Sequence, residues 1–186
     1  MITVVIGGSA SGVGKTRLAC GVIRSLPEFA WTAIKISRHE HGGSEAVFEE
    51  TRAGQGSDTA RYLEAGARRS LLVKAIGTEL PMAEIDSACG GSTHTLIESN
   101  RVLDAVIPDV CLAIVGDGVA KPSFEPVLHH ADAVVVCRHE LLEGLQPPAS
   151  ACIFCMEDLS CPPPEFVDWL RGQIATASAR LKKARP

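Results

Sequence analysis

The sequence predicts an α/β fold, a mostly parallel sheet flanked by helices on both faces. Three observations predict it. Short apolar runs recur along the whole chain, and most are apolar at every position, as strands covered on both sides are. Segments with apolar residues at helical spacing alternate with them. The first run passes through a glycine-rich stretch straight into the first helical pattern. The 186 residues suit one domain with one core, spanning 1–186.

Met1 to Ile6 is short, apolar and β-branched, which predicts a buried strand that Gly7 to Gly14 should not continue. Leu18, Ala19, Val22, Ile23 and Leu26 then share one helical face, with Pro27 just beyond. Trp31 to Ile36 reads as a second strand. The polar, glycine-rich stretch 37–57 lacks periodicity and reads as a long loop of the kind that often carries function. Asp58 can cap a short helix through Ala65, closed by Gly66. Strands are then expected over Ser70–Ile76, Thr93–Ile97, Val110–Val115, Ala133–Cys137 and Ala151–Met156. Helices are expected over Glu79–Ala88, Asn100–Ile107 and His139–Leu145. A final amphipathic helix starts at Pro162–Pro164 and buries Phe166, Val167, Leu170 and Ile174, and its basic end suits a helix C-terminus. No internal repeat is evident.

A formal charge of -4 gives no reason to expect nucleic acid or a membrane surface as partner. No apolar run approaches the roughly 20 residues of a membrane span, and the N-terminus lacks a signal peptide's basic start. The expectation is a soluble cytoplasmic protein. Of the seven cysteines, Cys111, Cys137, Cys152 and Cys155 fall in apolar strands, where a cytosolic thiol usually serves as a small buried hydrophobe. Cys152-x-x-Cys155 with Cys161 could suggest zinc or an iron–sulfur cluster. Residues three apart in a strand point to opposite faces, which favours buried cysteines instead.

Gly8-Ser9-Ala10-Ser11-Gly12-Val13-Gly14-Lys15-Thr16 carries the strongest chemical signal. Glycines let backbone N–H groups turn inward around phosphate oxygens, and the following helix offers its positive end. Lys15 would reach the β- and γ-phosphates of a nucleoside triphosphate, and Thr16 would ligate Mg2+. Ser9 holds the first glycine position of the G-x-x-x-x-G-K-[ST] pattern, yet Gly-Lys-Thr falls where a strand meets a helix, as the pattern requires.

Glu98 ends an apolar strand, where a carboxylate can hold magnesium or polarise a water. Asp117, in Gly116-Asp117-Gly118, follows the same logic or forms a plain turn. Asp58 could contact the metal or cap its helix. Lys35 lies in a strand expected to be buried, so it needs an anion or must snorkel to the surface. His39 and His41 alternate in the long loop and could face a substrate, or form part of a solvated loop. Gly8, Glu98, Asp117 and Arg138 all follow strand ends and could share one rim. Lys15 and Glu98 are the candidate catalytic residues.

The phosphate loop resembles those of dethiobiotin synthetases and cobyrinic acid amide synthases, within the P-loop NTPase class that includes the signal-recognition GTPases and MinD-type ATPases. The extra lysine of MinD-type loops would fall at Ala10, so a dimer completed by that lysine is not expected; a homodimer of another kind stays open. Two further segments extend the resemblance. Ala33-Ile34-Lys35 followed by His39 and His41 is similar to the second strand and His-containing loop of molybdopterin-guanine dinucleotide biosynthesis protein B. Gly56-Ser57-Asp58-Thr59 with Arg61, Glu64, Ala65, Gly66 and Ala67 resembles that family's Gly-Lys-Asp-Ser segment and the helix after it. This chain has Ser57 at the family's lysine, and Glu98-Ser99-Asn100 at its Glu-Gly. The resemblance covers roughly the first 70 residues and implies GTP binding, weak hydrolysis and a partner in molybdenum-cofactor biosynthesis. In GTPases of this class an Asn/Thr-Lys-x-Asp motif after a strand reads guanine; Cys137-Arg138-x-Glu140 has the same charge order or is an ordinary helix start. The alternatives are an ATP-dependent synthetase or small-molecule kinase, with Lys35, His39 and His41 holding the acceptor, and a non-catalytic module that uses nucleotide to control a partner.

Overall fold

The computed structural model describes residues 1–37, 46–54, 56–75 and 79–183. In chain order these form β1 (Ile2–Gly8), α1 (Lys15–Ser25), β2 (Thr32–Ser37), β3 (Val47–Glu50), α2 (Asp58–Glu64), β4 (Arg69–Lys74), α3 (Met82–Ala88) and β5 (His94–Glu98). Then follow β6 (Val110–Val115), α4 (Glu125–His129), β7 (Ala133–Val136), β8 (Cys152–Cys155) and α5 (Pro164–Lys183). The sheet order is β3-β4-β2-β5-β1-β6-β7-β8. Every neighbouring pair is parallel except β3 with β4. The chain fills one side of β1 first and then crosses to the other, so β1 stands at the switch point of the sheet, where such folds place their ligands.

Alternation along the strands divides the core in two. Val4 and Ile6 of β1, with Leu112 and Ile114 of β6, pack under Leu18 and Val22 of α1, Tyr62 of α2 and Phe166, Leu170 and Ile174 of α5. Val5, Cys111, Ala113 and Val115 face the opposite way, against Ile85 of α3 and Val127 of α4. Helices therefore cover both faces, as the continuous apolar strands require.

The structure corrects several boundaries. Gly7 and Gly8 continue β1 instead of ending it, pairing with Ala113 and Ile114. Gly7 has no room for a side chain, because a Cβ there would lie 2.5 Å from Val127. The stretch expected to be loop from 37 to 57 contains β3, an edge strand whose Phe48 and Glu49 are exposed and which therefore carries little apolar signal. Asn100–Ile107 and His139–Leu145 shrink to 3-10 turns at Arg101–Asp104 and His139–Leu142. α4 has no counterpart in the expected elements.

The cysteine reading holds only in part. Cys111 is buried, and burial pushes its thiol up to about 12. Cys137, Cys155 and Cys161 are exposed and Cys152 is half-buried. In β8, at the sheet edge, only the side of Cys152 and Phe154 packs on the core below α5. Among the described residues no group of His, Cys, Asp or Glu side chains is arranged to hold a metal by itself. No described helix is long and apolar enough to cross a membrane.

Candidate functional site

The loop between β1 and α1 owes its curvature to two glycines. Gly12 and Gly14 have φ of 78° and 98°, a region that costs other residues strain. Gly14 is also pressed against Leu159, whose Cδ1 would lie 2.4 Å from a Cβ. Val13 fills the loop's underside, against Gly8 and Gly116. Ser9 is buried; its hydroxyl accepts from the Gly116 N–H at 3.0 Å, and its own N–H donates to Ile114 O at 2.9 Å. Ser9 thus ties the loop to β6, a role a glycine at this position would not fill.

The loop opens into a cleft of about 1370 Å³. Lys15 and Thr16 line it at the start of α1, Lys35 at the end of β2, Asp58 at the start of α2 and Glu98 at the end of β5. Phe48 of β3 closes its far side. The sequence-predicted Gly8, Ala10, Ser11, Gly12 and Gly14 also lie on its wall. Ser9 and Val13 sit behind them as supports.

Glu98 is the polar centre. Its carboxylate is only 3% exposed. One oxygen accepts from the Thr16 hydroxyl at 2.7 Å and from the Tyr62 hydroxyl; the other accepts from the Lys35 ammonium. Lys35 also reaches Asp58 at 2.9 Å. A buried carboxylate is tolerable only with such partners. Burial alone would lower the Lys35 ammonium, but Glu98 and Asp58 outweigh it and hold it above its ordinary range. Burial, with Glu98 beside it, pushes the Tyr62 phenol well above its usual value, so it stays a neutral donor.

Lys15 differs. Its ammonium donates to the loop carbonyl of Ala10 at 3.0 Å and has no ion-pair partner among the described residues. Burial pushes it below its ordinary value; the like charges of Lys35 and Lys121 add to this, and Glu98 opposes it.

Lys15, Thr16, Glu98, Lys35 and Asp58 therefore meet in one place. Asp58 does not cap α2; the Ser57 hydroxyl does, accepting from Ala60 N–H at 3.1 Å, and this leaves the Asp58 carboxylate to face Lys35. Asp117 does not join the group. It pairs with Arg138 at the surface, with 69% of its side chain exposed, outside the cleft wall. Glu140 is exposed, in the turn after β7, and also lies off that wall. His39 and His41 lie outside the described residues.

Sequence reading did not assign roles to Tyr62, Asn100 or Lys121. Asn100 clamps the end of β1: its side-chain oxygen accepts from Gly8 N–H at 2.8 Å and its amide donates to Gly8 O at 2.9 Å. In the sequence Asn100 stands out only as a departure from a family pattern. Tyr62 carried no local signal, since a lone tyrosine in a short helix is usually core.

No protein-family model and no curated protein sequence matches the chain. Among solved structures it resembles HypB from Helicobacter pylori in complex with nickel, at 17% identity over 94% of this chain and 88% of that chain, with a TM-score of 0.50. It also aligns with a MobB protein homolog from Bacillus stearothermophilus, at 15% identity over 95% and 99% of the two chains, TM-score 0.48. Bacillus subtilis MobB aligns at 16% identity over 91% and 96%, TM-score 0.48. At such identity the likeness to HypB speaks for the fold alone, and that fold is the α/β P-loop NTPase fold, with its loop between β1 and α1.

Proposed function

We propose that the chain binds a nucleoside triphosphate with magnesium in this cleft, GTP in preference to ATP, and hydrolyses it slowly in the service of molybdenum-cofactor guanylation. The observation that carries nucleotide binding is the loop itself. Two left-handed glycines turn its backbone into the N-terminus of α1, and Lys15 stands beside it with no carboxylate partner among the described residues. The loop N–H groups and Lys15 would hold the phosphate oxygens and stabilise charge as it shifts between them.

The donors fit magnesium. Thr16, Glu98 and Asp58 offer only hard oxygen ligands, and a cation already bridges the two carboxylates in the form of the Lys35 ammonium. Among the described residues no cluster of side chains could cage an ion alone, so a magnesium here would take its remaining ligands from phosphates and water. When bound, magnesium would supply charge neutralisation at the phosphates. Glu98, fixed by Tyr62, Lys35 and Thr16, would orient a water or a metal-bound ligand rather than carry out covalent chemistry.

The preference for GTP and the molybdenum-cofactor role rest on the resemblance of the first 70 residues. A second reading, phosphoryl transfer to an acceptor, is favoured by the far end of the cleft. There Ile36, Phe48 and Leu72 line space beyond the phosphate loop. Calorimetric titration with GTP and ATP in magnesium separates these readings. Tighter GTP binding is expected. Tighter ATP binding with acceptor-dependent ADP formation would support the second reading, and Lys15→Ala binding GTP as well as the parent would overturn both.

A further inference from the structure

Several cations on this molecule are neutralised by carboxylates. Arg17 pairs with Asp158, Lys35 with Glu98 and Asp58, Arg69 with Glu49, Arg138 with Asp117 and Arg171 with Glu28. Two lysines on the cleft wall are not. Lys15 donates to Ala10 O, and Lys121 donates to the Ser11 hydroxyl at 2.7 Å; among the described residues neither touches a carboxylate. Both ammoniums rest on neutral acceptors of the same loop. They are close enough that the charge of Lys121 helps to lower Lys15. Two like charges converging on one cleft, each parked on a weak acceptor, describe a site for an anion with more than one negative oxygen.

Lys121 is also held in place. It ends the segment that leaves β6, and its N–H donates to Ser9 O at 2.9 Å. Gly116, at the start of the segment, donates to Ser9 Oγ. Just past Lys121, the Ser123 hydroxyl accepts from the Asn100 amide at 3.3 Å, and Asn100 in turn clamps Gly8. The lysine is thus carried on backbone fixed to the phosphate loop at both ends.

From this convergence we propose that Lys121 is a second phosphate-binding cation, which leaves Ser11 for a phosphate oxygen when the nucleotide arrives and so favours triphosphate over monophosphate. The inference rests on the nucleotide-binding reading of the cleft. Lys121 follows β6, whereas Lys35 and Glu98 lie toward the ends of β2 and β5 on the other side of β1 in the sheet.

The test is calorimetric titration of the full chain with GTP, GMP and inorganic triphosphate in magnesium, at low and high salt. The variants are Lys121→Met and Lys121→Arg. Losing one charge-assisted contact should weaken GTP and inorganic triphosphate binding by about tenfold to a hundredfold in Lys121→Met. GMP binding should change much less, and the salt dependence should become shallower. Lys121→Arg should restore most of the affinity. A Lys121→Met protein with an unchanged thermal midpoint and undiminished triphosphate affinity overturns the proposal while leaving nucleotide binding intact. A parent that binds none of the three ligands overturns the nucleotide reading and this proposal with it.

Discussion

Glu98→Gln tests the polar centre most directly. The substitution keeps size and shape but removes the charge that holds Lys35. The pair is largely inside the protein, with side-chain exposures of 22% for Lys35 and 3% for Glu98. Breaking a buried pair by removing one partner costs about 3–5 kcal/mol. Lys35 keeps Asp58 at 2.9 Å, and the Thr16 and Tyr62 hydroxyls can rotate to an amide oxygen, so the lower end applies, about 3 kcal/mol. For a chain of this size that is a fall of roughly 6–12 °C in the thermal midpoint. Circular dichroism melts of parent and variant measure it. The double variant Lys35→Met/Glu98→Gln removes both charges and should be clearly more stable than the sum of the two single losses predicts, by about 1–3 kcal/mol of coupling. A single-variant midpoint within about 2 °C of the parent, or strict additivity in the cycle, would show that the network contributes little and that Glu98 is held by packing alone.

Tyr62→Phe removes one donor from the same carboxylate and should cost about 1–2 kcal/mol in urea unfolding, with weaker magnesium-dependent nucleotide binding. Gly14→Ala meets Leu159 at 2.4 Å and must adopt φ near 98°, so it should both destabilise the fold by about 1–3 kcal/mol and abolish triphosphate binding in filter or calorimetric assays. Arg138→Ala breaks an exposed pair and should leave the melting curve within about 0.5 kcal/mol of the parent; a larger loss would mean that the contact with Asp117 is structural. Lys15 sits below its ordinary value of 10.5 in the free protein, and a bound triphosphate should raise it again. Binding measured just below pH 10.5 should therefore take up protons, seen as an enthalpy that depends on the buffer, and Lys15→Met should abolish that dependence. For Lys35 the sign is opposite. Its folded value lies above 10.5, so its share of stability is complete below pH 10.5 and is lost as pH rises through the higher folded value. The double variant should lose less stability over that window.

What the sequence discloses here depends on how local the cause is. The β1–loop–α1 unit is legible because an apolar run, two left-handed glycines and an amphipathic helix follow one another without interruption. Glu98 is legible because a carboxylate at the end of a buried strand has to be somewhere special. Lys35 shows both the strength and the limit of that logic. A lysine in a buried strand does need an anion, yet the anions are Glu98 and Asp58 of the same chain. Tyr62 and Lys121 stayed hidden because their partners are 36 and 110 residues away, and nothing in their own neighbourhoods marks them. β3 escaped because an exposed edge strand of four residues need not be apolar. The exposure of Cys155 in β8 is hidden for the same reason: only knowledge of which strand is outermost tells which side chains face water.

Val13 deserves a last look as a mechanical part. Wedged between Gly8 and Gly116, it sets the bend of the loop from below. A loop whose curve is set by side-chain packing spends less ordering entropy on capture. It also has little shape left to change on release. If the chain reports its nucleotide state to a partner, the message must be written where contacts trade places, at the Lys35 bridge or the Lys121 arm, and not in the arch that Val13 props open.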